Sequence, residues 1–98
     1  MLVKIHNAYR TTISICDSGL IGKKFVEGNY QLDLTGRFFA GEEKSPFQLK
    51  KIIQRGLVED ATFNIVGKES CDFAKKIGLI SNKGTLTIKG VPVALILI

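Results

Sequence analysis

Cys16-Asp17 sets a thiol directly before a carboxylate, and His6 is the only imidazole in the chain. A cysteine becomes a nucleophile when a helix N-terminus, a cation or a histidine lowers its pKa. The run "ISICDSGLIGKKFVEGNY" offers two of these, an expected helical turn just after Cys16 and the ammonium of Lys23. Asp17 works against both, because a carboxylate beside a thiol raises its pKa. His6 belongs to the neighbouring strand, and no second acid orients it. The reading favoured over an enzyme built on Cys16 and Asp17 is therefore structural. Cys16 fills the core as the last buried side chain of a strand, and Asp17 caps the turn that follows it.

Gly22-Lys23-Lys24 and Gly67-Lys68 each set a glycine and a lysine at or near an expected helix start. Free backbone N–H groups and an ammonium hold phosphate well at such a place. Neither is a P-loop, since the first-glycine spacing and the Ser/Thr after the lysine are missing. "NIVGKES" does set Gly67 between a short strand and a helix, with Asn64 close by as a cap or a ligand contact. The alternative for both is a tight turn and a cap. Arg37-Phe38-Phe39 and Tyr9-Arg10 pair an arginine with an aromatic ring, a combination that stacks on unpaired bases. Their plain alternative is a core anchor beside a solvated arginine. Glu42 and Glu43 are adjacent in a loop, point apart, and make no acid–base pair.

Cys16 and Cys71 are the only cysteines and form no CxxC motif. With a single histidine they cannot supply a four-ligand zinc site. Both lie among apolar residues and are expected as buried free thiols. No metal and no cofactor is implied.

These residues sit in a chain of 98, long enough for one domain with a core of its own. Hydrophobic residues make up 45% and charged residues 23%, which excludes a disordered chain. No apolar leader opens the sequence, and the longest apolar run, "VALILI", is far short of a membrane span. A cytosolic protein is expected. The net charge is +5, unevenly spread. Lys44 to Arg55 carries four positive residues and no acid, and Phe73 to Ile98 carries Lys75, Lys76, Lys83 and Lys89, again with no acid. Such stretches suit contact with nucleic acid.

The elements that must position these groups can be read from periodicity. "LVKIHNAYRTTISIC" alternates as two strands of an antiparallel hairpin. Asp17-Ser18 precedes the short helical turn "GLIGKKF", and "NYQLDLTG" is a half-buried strand ending at Gly36. "RFFAGEEK" reads as a loop. Ser45 as N-cap, Pro46 at the first position and Gln48 three residues after the cap predict a helix. Its apolar side is Phe47, Leu49, Ile52 and Ile53, with Lys50, Lys51, Gln54 and Arg55 outward and Gly56 as the stop. Phe63 to Val66 is a short apolar stretch. "KESCDFAKKIG" is a second helix with Cys71, Ala74 and Ile77 inward and Gly78 at its end. "GTLTIKGVPVALILI" is a strand, a Gly-Val-Pro turn and a uniformly apolar strand, central in a sheet or joined to a second copy. The fold class predicted is α+β: a mostly antiparallel sheet of about five to six strands, two helices and a short helical turn.

"MLVKIH", "ICDSGLIGKKFVEG", "FFAGEE", "NIVGKESCDFAKKIGLI" and "IKGVPVA" together resemble a short archaeal family, the domain-of-unknown-function family numbered 424. The likeness runs over nearly the whole chain. It implies an archaeal cytosolic protein from a family without an established activity, with a leaning toward translation or RNA. Members often carry a histidine after Gly-Val-Pro; Val93 stands there, so a role for that imidazole is absent.

The leading expectation is a non-catalytic protein that binds RNA or a ribonucleoprotein linked to translation. Its contacts would be Arg10, Lys23, Lys24, Arg37, Lys50, Lys51, Arg55, Asn64, Gly67 and Lys68. An enzyme using Cys16 and Asp17, and a homodimer assembled through the C-terminal strand, stand as alternatives.

Overall fold

The alternation at the N-terminus becomes a hairpin. In the computed structural model, which describes residues 1–81 and 84–96, β1 (Leu2–His6) and β2 (Thr12–Cys16) pair antiparallel. Lys83 of the second acid-free stretch, and Leu97 and Ile98 of the C-terminal run, lie outside the described residues. A 3-10 turn (Ser18–Leu20) follows, then a separate hairpin of β3 (Lys24–Glu27) and β4 (Tyr30–Asp33). Next come β5 (Glu42–Glu43), α1 (Pro46–Val58), β6 (Thr62–Val66), α2 (Lys68–Lys76), β7 (Leu86–Ile88) and β8 (Val91–Ile96). The main sheet runs β5-β1-β2-β6-β8-β7, and every neighbouring pair is antiparallel except β2 with β6. The fold is α+β, as predicted.

Strand parity assigns the two faces of the sheet. Val3, Ile13, Ile15, Phe63, Ile65 and Ala94 point to one face and form a core with Leu49 and Ile53 of α1 and Cys71 and Ala74 of α2. Each fully buried Leu, Ile or Phe there contributes about 1.5–3 kcal/mol. Cys16, Val66 and Val93 point to the opposite face and meet Leu32, Leu34 and Phe25 of the β3–β4 hairpin. Two helices thus cover one face, and a small hairpin covers only one end of the other.

The α1 start is as the sequence predicts. Ser45 Oγ accepts from the Gln48 backbone N–H at 3.2 Å, and Gln48 Oε1 accepts from the Ser45 N–H at 3.0 Å. Its end is not. Gly56 does not stop the helix, which continues to Val58, and Gly56 is buried inside it. A Cβ at Gly56 would lie 2.6 Å from Ile13 Cδ1 and 3.0 Å from Phe63 Cζ, so the glycine lets α1 press onto the sheet. Phe47 is 70% exposed and lies outside the core, beneath the Lys51 ammonium at 4.4 Å.

Two strands escaped the sequence reading: β3, hidden in the "GKKFVEG" turn, and β5, hidden in the "RFFAGEEK" loop. Pairing, not propensity, makes each of them a strand. The last two strands correct another expectation. The reversal is the pair Lys89-Gly90, while Val91 and Pro92 are already in β8. β8 lies inside the sheet, paired with β7 over Val91–Val93 and with β6 over Val93–Ile96. The strand is paired on both sides but not covered on both faces: Ala94 is buried, whereas Leu95 is 58% exposed. Of the run Val93–Ile98 through which a homodimer is expected, Val93 alone has β7 as a neighbour, and Leu97 and Ile98 lie outside the described residues.

Candidate functional site

Because β2 and β6 run parallel and in register, they end side by side at Cys16 and Val66. The residue after β2, Asp17, therefore stands beside Gly67, which precedes α2. Asp17 Oδ2 accepts the Glu69 backbone N–H at 3.0 Å, and Oδ1 accepts the Ser70 N–H and the Ser70 hydroxyl, each at 2.7 Å. Asp17 makes no side-chain bond to the 3-10 turn that follows it. The cap expected locally is spent on a helix some fifty residues away. Gly67 has φ 107°, a conformation reserved for glycine, and a Cβ there would collide with the Asp17 carboxylate. The anion site foreseen at Gly67-Lys68 exists in chemistry but is filled by the protein's own carboxylate.

Cys16 is fully buried. Burial, and then the Asp17 charge, push its thiol up to about 12. Cys71 is buried too, and its burial, with Asp17 behind it, raises the thiol to about 11. His6 stands opposite Thr12 on β2, four residues and roughly 13 Å along the strand from Cys16. Among the described residues no base is hydrogen-bonded to the thiol, whose Sγ donates to the Asp17 carbonyl at 3.4 Å. Among the described residues no group of His, Cys, Asp and Glu is arranged to hold a metal ion.

The uncovered end of the hairpin face is different. Register places Lys4, Ser14, Asn64 and Leu95 in one row across four strands, with His6, Thr12 and Thr62 in the next. These residues are mostly polar, yet Ser14 is 1% exposed. The loop between β4 and β5 explains it. Ser14 Oγ donates to the Phe38 carbonyl at 2.9 Å, His6 Nε2 lies 3.0 Å from the same oxygen, and Lys4 Nζ donates to the Arg37 carbonyl at 2.8 Å. A carbonyl has two lone pairs and accepts both partners. The loop is thus tied to the sheet through its main chain, which frees its side chains.

Those side chains are the ones that matter. The Phe38 ring stacks on His6, with centroids 4.4 Å apart and planes inclined by 13°, and makes an edge-type contact with Phe39, with centroids 5.0 Å apart and planes inclined by 73°. Phe39 turns into the core under the hairpin, whereas Phe38 keeps 44% of its surface in solvent. Arg37 beside it is exposed. On the floor of the sheet, Thr12 and Thr62 hydroxyls bond to each other at 3.0 Å. The Asn64 carboxamide is half-buried and makes no hydrogen bond to a described residue. Leu95, on its far side, is 58% exposed.

The residues singled out from the sequence divide between layers. Lys23 and Lys24 do not open a helix; they lead into β3, where the Lys23 carbonyl accepts from Leu34 and Lys24 faces Asp33. They share the hairpin layer with Arg37, three residues beyond Leu34. Two hydrogen bonds from Thr35, and then the Lys24 charge, hold the Asp33 carboxyl below its usual range. Lys50, Lys51 and Arg55 lie outward on α1, on the opposite side of the sheet, and Arg55 is paired with Glu59 at 2.9 Å. Lys68 opens α2 in that same helix layer. Arg10 lies in the β1–β2 connection, where its Nε donates to the Asp60 carbonyl at 3.3 Å. Sequence reasoning missed Lys4, His6 and Phe38 as one cluster, although the polar alternation Lys4-His6 with Thr12-Ser14 already marked an incompletely apolar face.

A protein family of unknown function, DUF424, matches residues 6–98. Among solved structures, an uncharacterized conserved protein from Methanopyrus kandleri superposes with a TM-score of 0.84 at 22% identity, covering 97% of this chain and 88% of that one. At that identity the likeness is one of fold. No curated protein matches this sequence.

Proposed function

The chain belongs to the DUF424 family, and we propose that it is a non-catalytic archaeal protein of the cytosol that binds RNA or a ribonucleoprotein of the translation apparatus. What carries this reading is one juxtaposition. An exposed aromatic ring, Phe38 on His6, stands beside Arg37 in the layer that also holds Lys23 and Lys24. Stacking surface and positive charge next to an uncovered sheet face are what a nucleic-acid strand needs. The +5 net charge adds attraction at long range. The buried, strongly protonated Cys16 thiol speaks against covalent catalysis. Among the described residues no helix is long and apolar enough to cross a membrane.

The test is the salt dependence of binding to labelled tRNA and ribosomal RNA fragments. Three phosphate contacts, from Lys23, Lys24 and Arg37, weaken binding about twentyfold between 50 and 200 mM salt. Replacing these three by alanine flattens that slope. Replacing Lys50, Lys51 and Arg55 on α1 leaves it close to wild type. No affinity for any RNA at low salt overturns the proposal.

A further inference from the structure

Resting on that reading, we infer that the ligand is single-stranded RNA, with one unpaired base stacked on Phe38 and a neighbouring base edge read by Asn64. The inference begins with a contrast between two polar side chains in one row of the sheet. Ser14 and Asn64 are register partners on adjacent strands. Ser14 is buried and spends its hydroxyl on the Phe38 carbonyl. Asn64 is half-buried, with no described partner for either its donor or its acceptor. Strands lie about 4.8 Å apart, so the Asn64 carboxamide emerges one strand from the anchor of the Phe38 loop. Among the described residues no buried side-chain nitrogen or oxygen lacks a partner, so the Asn64 carboxamide faces solvent, where its donor and acceptor are open to a ligand.

Nucleobases answer both halves of the arrangement. Their faces stack on an aromatic ring, and their edges present a donor next to an acceptor, the pattern a carboxamide complements. A duplex offers no free base face, because its bases are stacked on each other, and its major-groove edges lie too deep for side chains. The charge fits the same ligand. Arg37 flanks the ring, and Lys23 and Lys24 belong to the hairpin that covers the other end of the same face.

Fluorescence anisotropy decides the matter with labelled twelve-nucleotide oligomers of A, C and U, and a twelve-base-pair RNA duplex, at low salt. The expected result is tighter binding of at least one single strand than of the duplex. Phe38→Ala then weakens every single strand by about tenfold to a hundredfold. Phe38→Leu keeps the apolar packing and loses the stacking, so it shows the same loss in a folded protein. Phe38→Trp restores or improves binding. Asn64→Ala leaves some affinity but levels the differences among the three homopolymers. Duplex binding as tight as single-strand binding overturns the inference and leaves RNA binding standing. So does Phe38→Leu with wild-type affinity. Unchanged homopolymer preference in Asn64→Ala removes the base-reading role. Failure of the wild-type protein to bind any of the four RNAs, or tRNA, overturns the underlying reading as well.

Discussion

The corner at Asp17 and Gly67 and the open end of the hairpin face are both rich in polar groups, and they spend them in opposite ways. At the corner, one carboxylate satisfies two backbone N–H groups and a hydroxyl, and the glycine beside it leaves room for nothing else. On the open face, the loop is fastened by its main-chain carbonyls, so Phe38 and Arg37 project free of the fastening. Asn64 is left without a described partner. The corner carries the residues that look most reactive in the sequence. The face carries the ones with binding capacity left over. A conspicuous motif is therefore a poor guide to function when its hydrogen bonds are consumed in folding.

The sharpest way to break this comparison is to change the corner and find that folding does not notice. Gly67→Ala forces a side chain into a backbone conformation that only glycine adopts readily and drives its Cβ into the Asp17 carboxylate. We expect a loss of about 3 kcal/mol or more, read as a lower urea midpoint. Asp17→Ala comes next. It strips the α2 N-terminus of its cap and leaves the Ser70 hydroxyl, on a residue 1% exposed, without its partner. The expected cost is about 2 kcal/mol. Asp17→Asn keeps one acceptor oxygen for Ser70 but sets an amide NH2 against the Glu69 N–H and loses the charge facing the helix N-terminus, so it costs about 1 kcal/mol or more. If either alanine variant keeps wild-type stability, the corner is not the structural joint described.

How much of this was legible without coordinates depends on the distance over which each interaction is made. The α1 start was readable because Ser45 and Gln48 are three residues apart, and the capping box is written in local order. Both buried thiols were readable from their apolar surroundings. The helix end was not, because Gly56 is required by Ile13 and Phe63 on other strands rather than by a C-terminal turn. Asp17 looked like a cap and is one, but for α2. Only the parallel pairing of β2 with β6 brings those segments together, and a parallel pairing leaves no local signature. The strand that carries Lys24 was likewise hidden, because glycines and lysines mask β3.

A thiol measurement sharpens the same comparison from the chemical side. With its thiol held at about 12 against an ordinary value of 9, Cys16 stays protonated throughout the neutral range. Titration with a thiol-specific reagent at pH 7 to 8 should leave both cysteines unmodified in the folded protein and modify both after denaturation. The sign of the accompanying stability change follows from linkage. A thiol pKa raised by folding contributes its full stabilisation below about 9 and loses it as the pH climbs toward about 12. Stability should therefore decline with alkalinity across that window, and the decline should be smaller in Cys16→Ala than in the parent chain. Rapid labelling of Cys16 at neutral pH would reopen the corner as a reactive site.

The smallest stability effect belongs to the open face. Asn64→Ala removes a carboxamide that has no described partner, and Arg37→Ala removes an exposed side chain whose residue is held through its carbonyl. Neither change leaves a buried donor or acceptor unpaired or opens a cavity under a packed side chain. Both should therefore shift the urea midpoint by no more than about 0.5 kcal/mol equivalent. Phe38→Leu falls between these and the corner variants, because the stack on His6 contributes about 0.5–1.5 kcal/mol. The ranking is what matters. A residue kept for the fold shows its importance when the protein is unfolded, as Asp17 and Gly67 should. A residue kept for a ligand is nearly silent in that experiment. If Asn64→Ala proves as damaging as Asp17→Ala, then the Asn64 amide is satisfied from within the protein, and the two regions do not differ in kind.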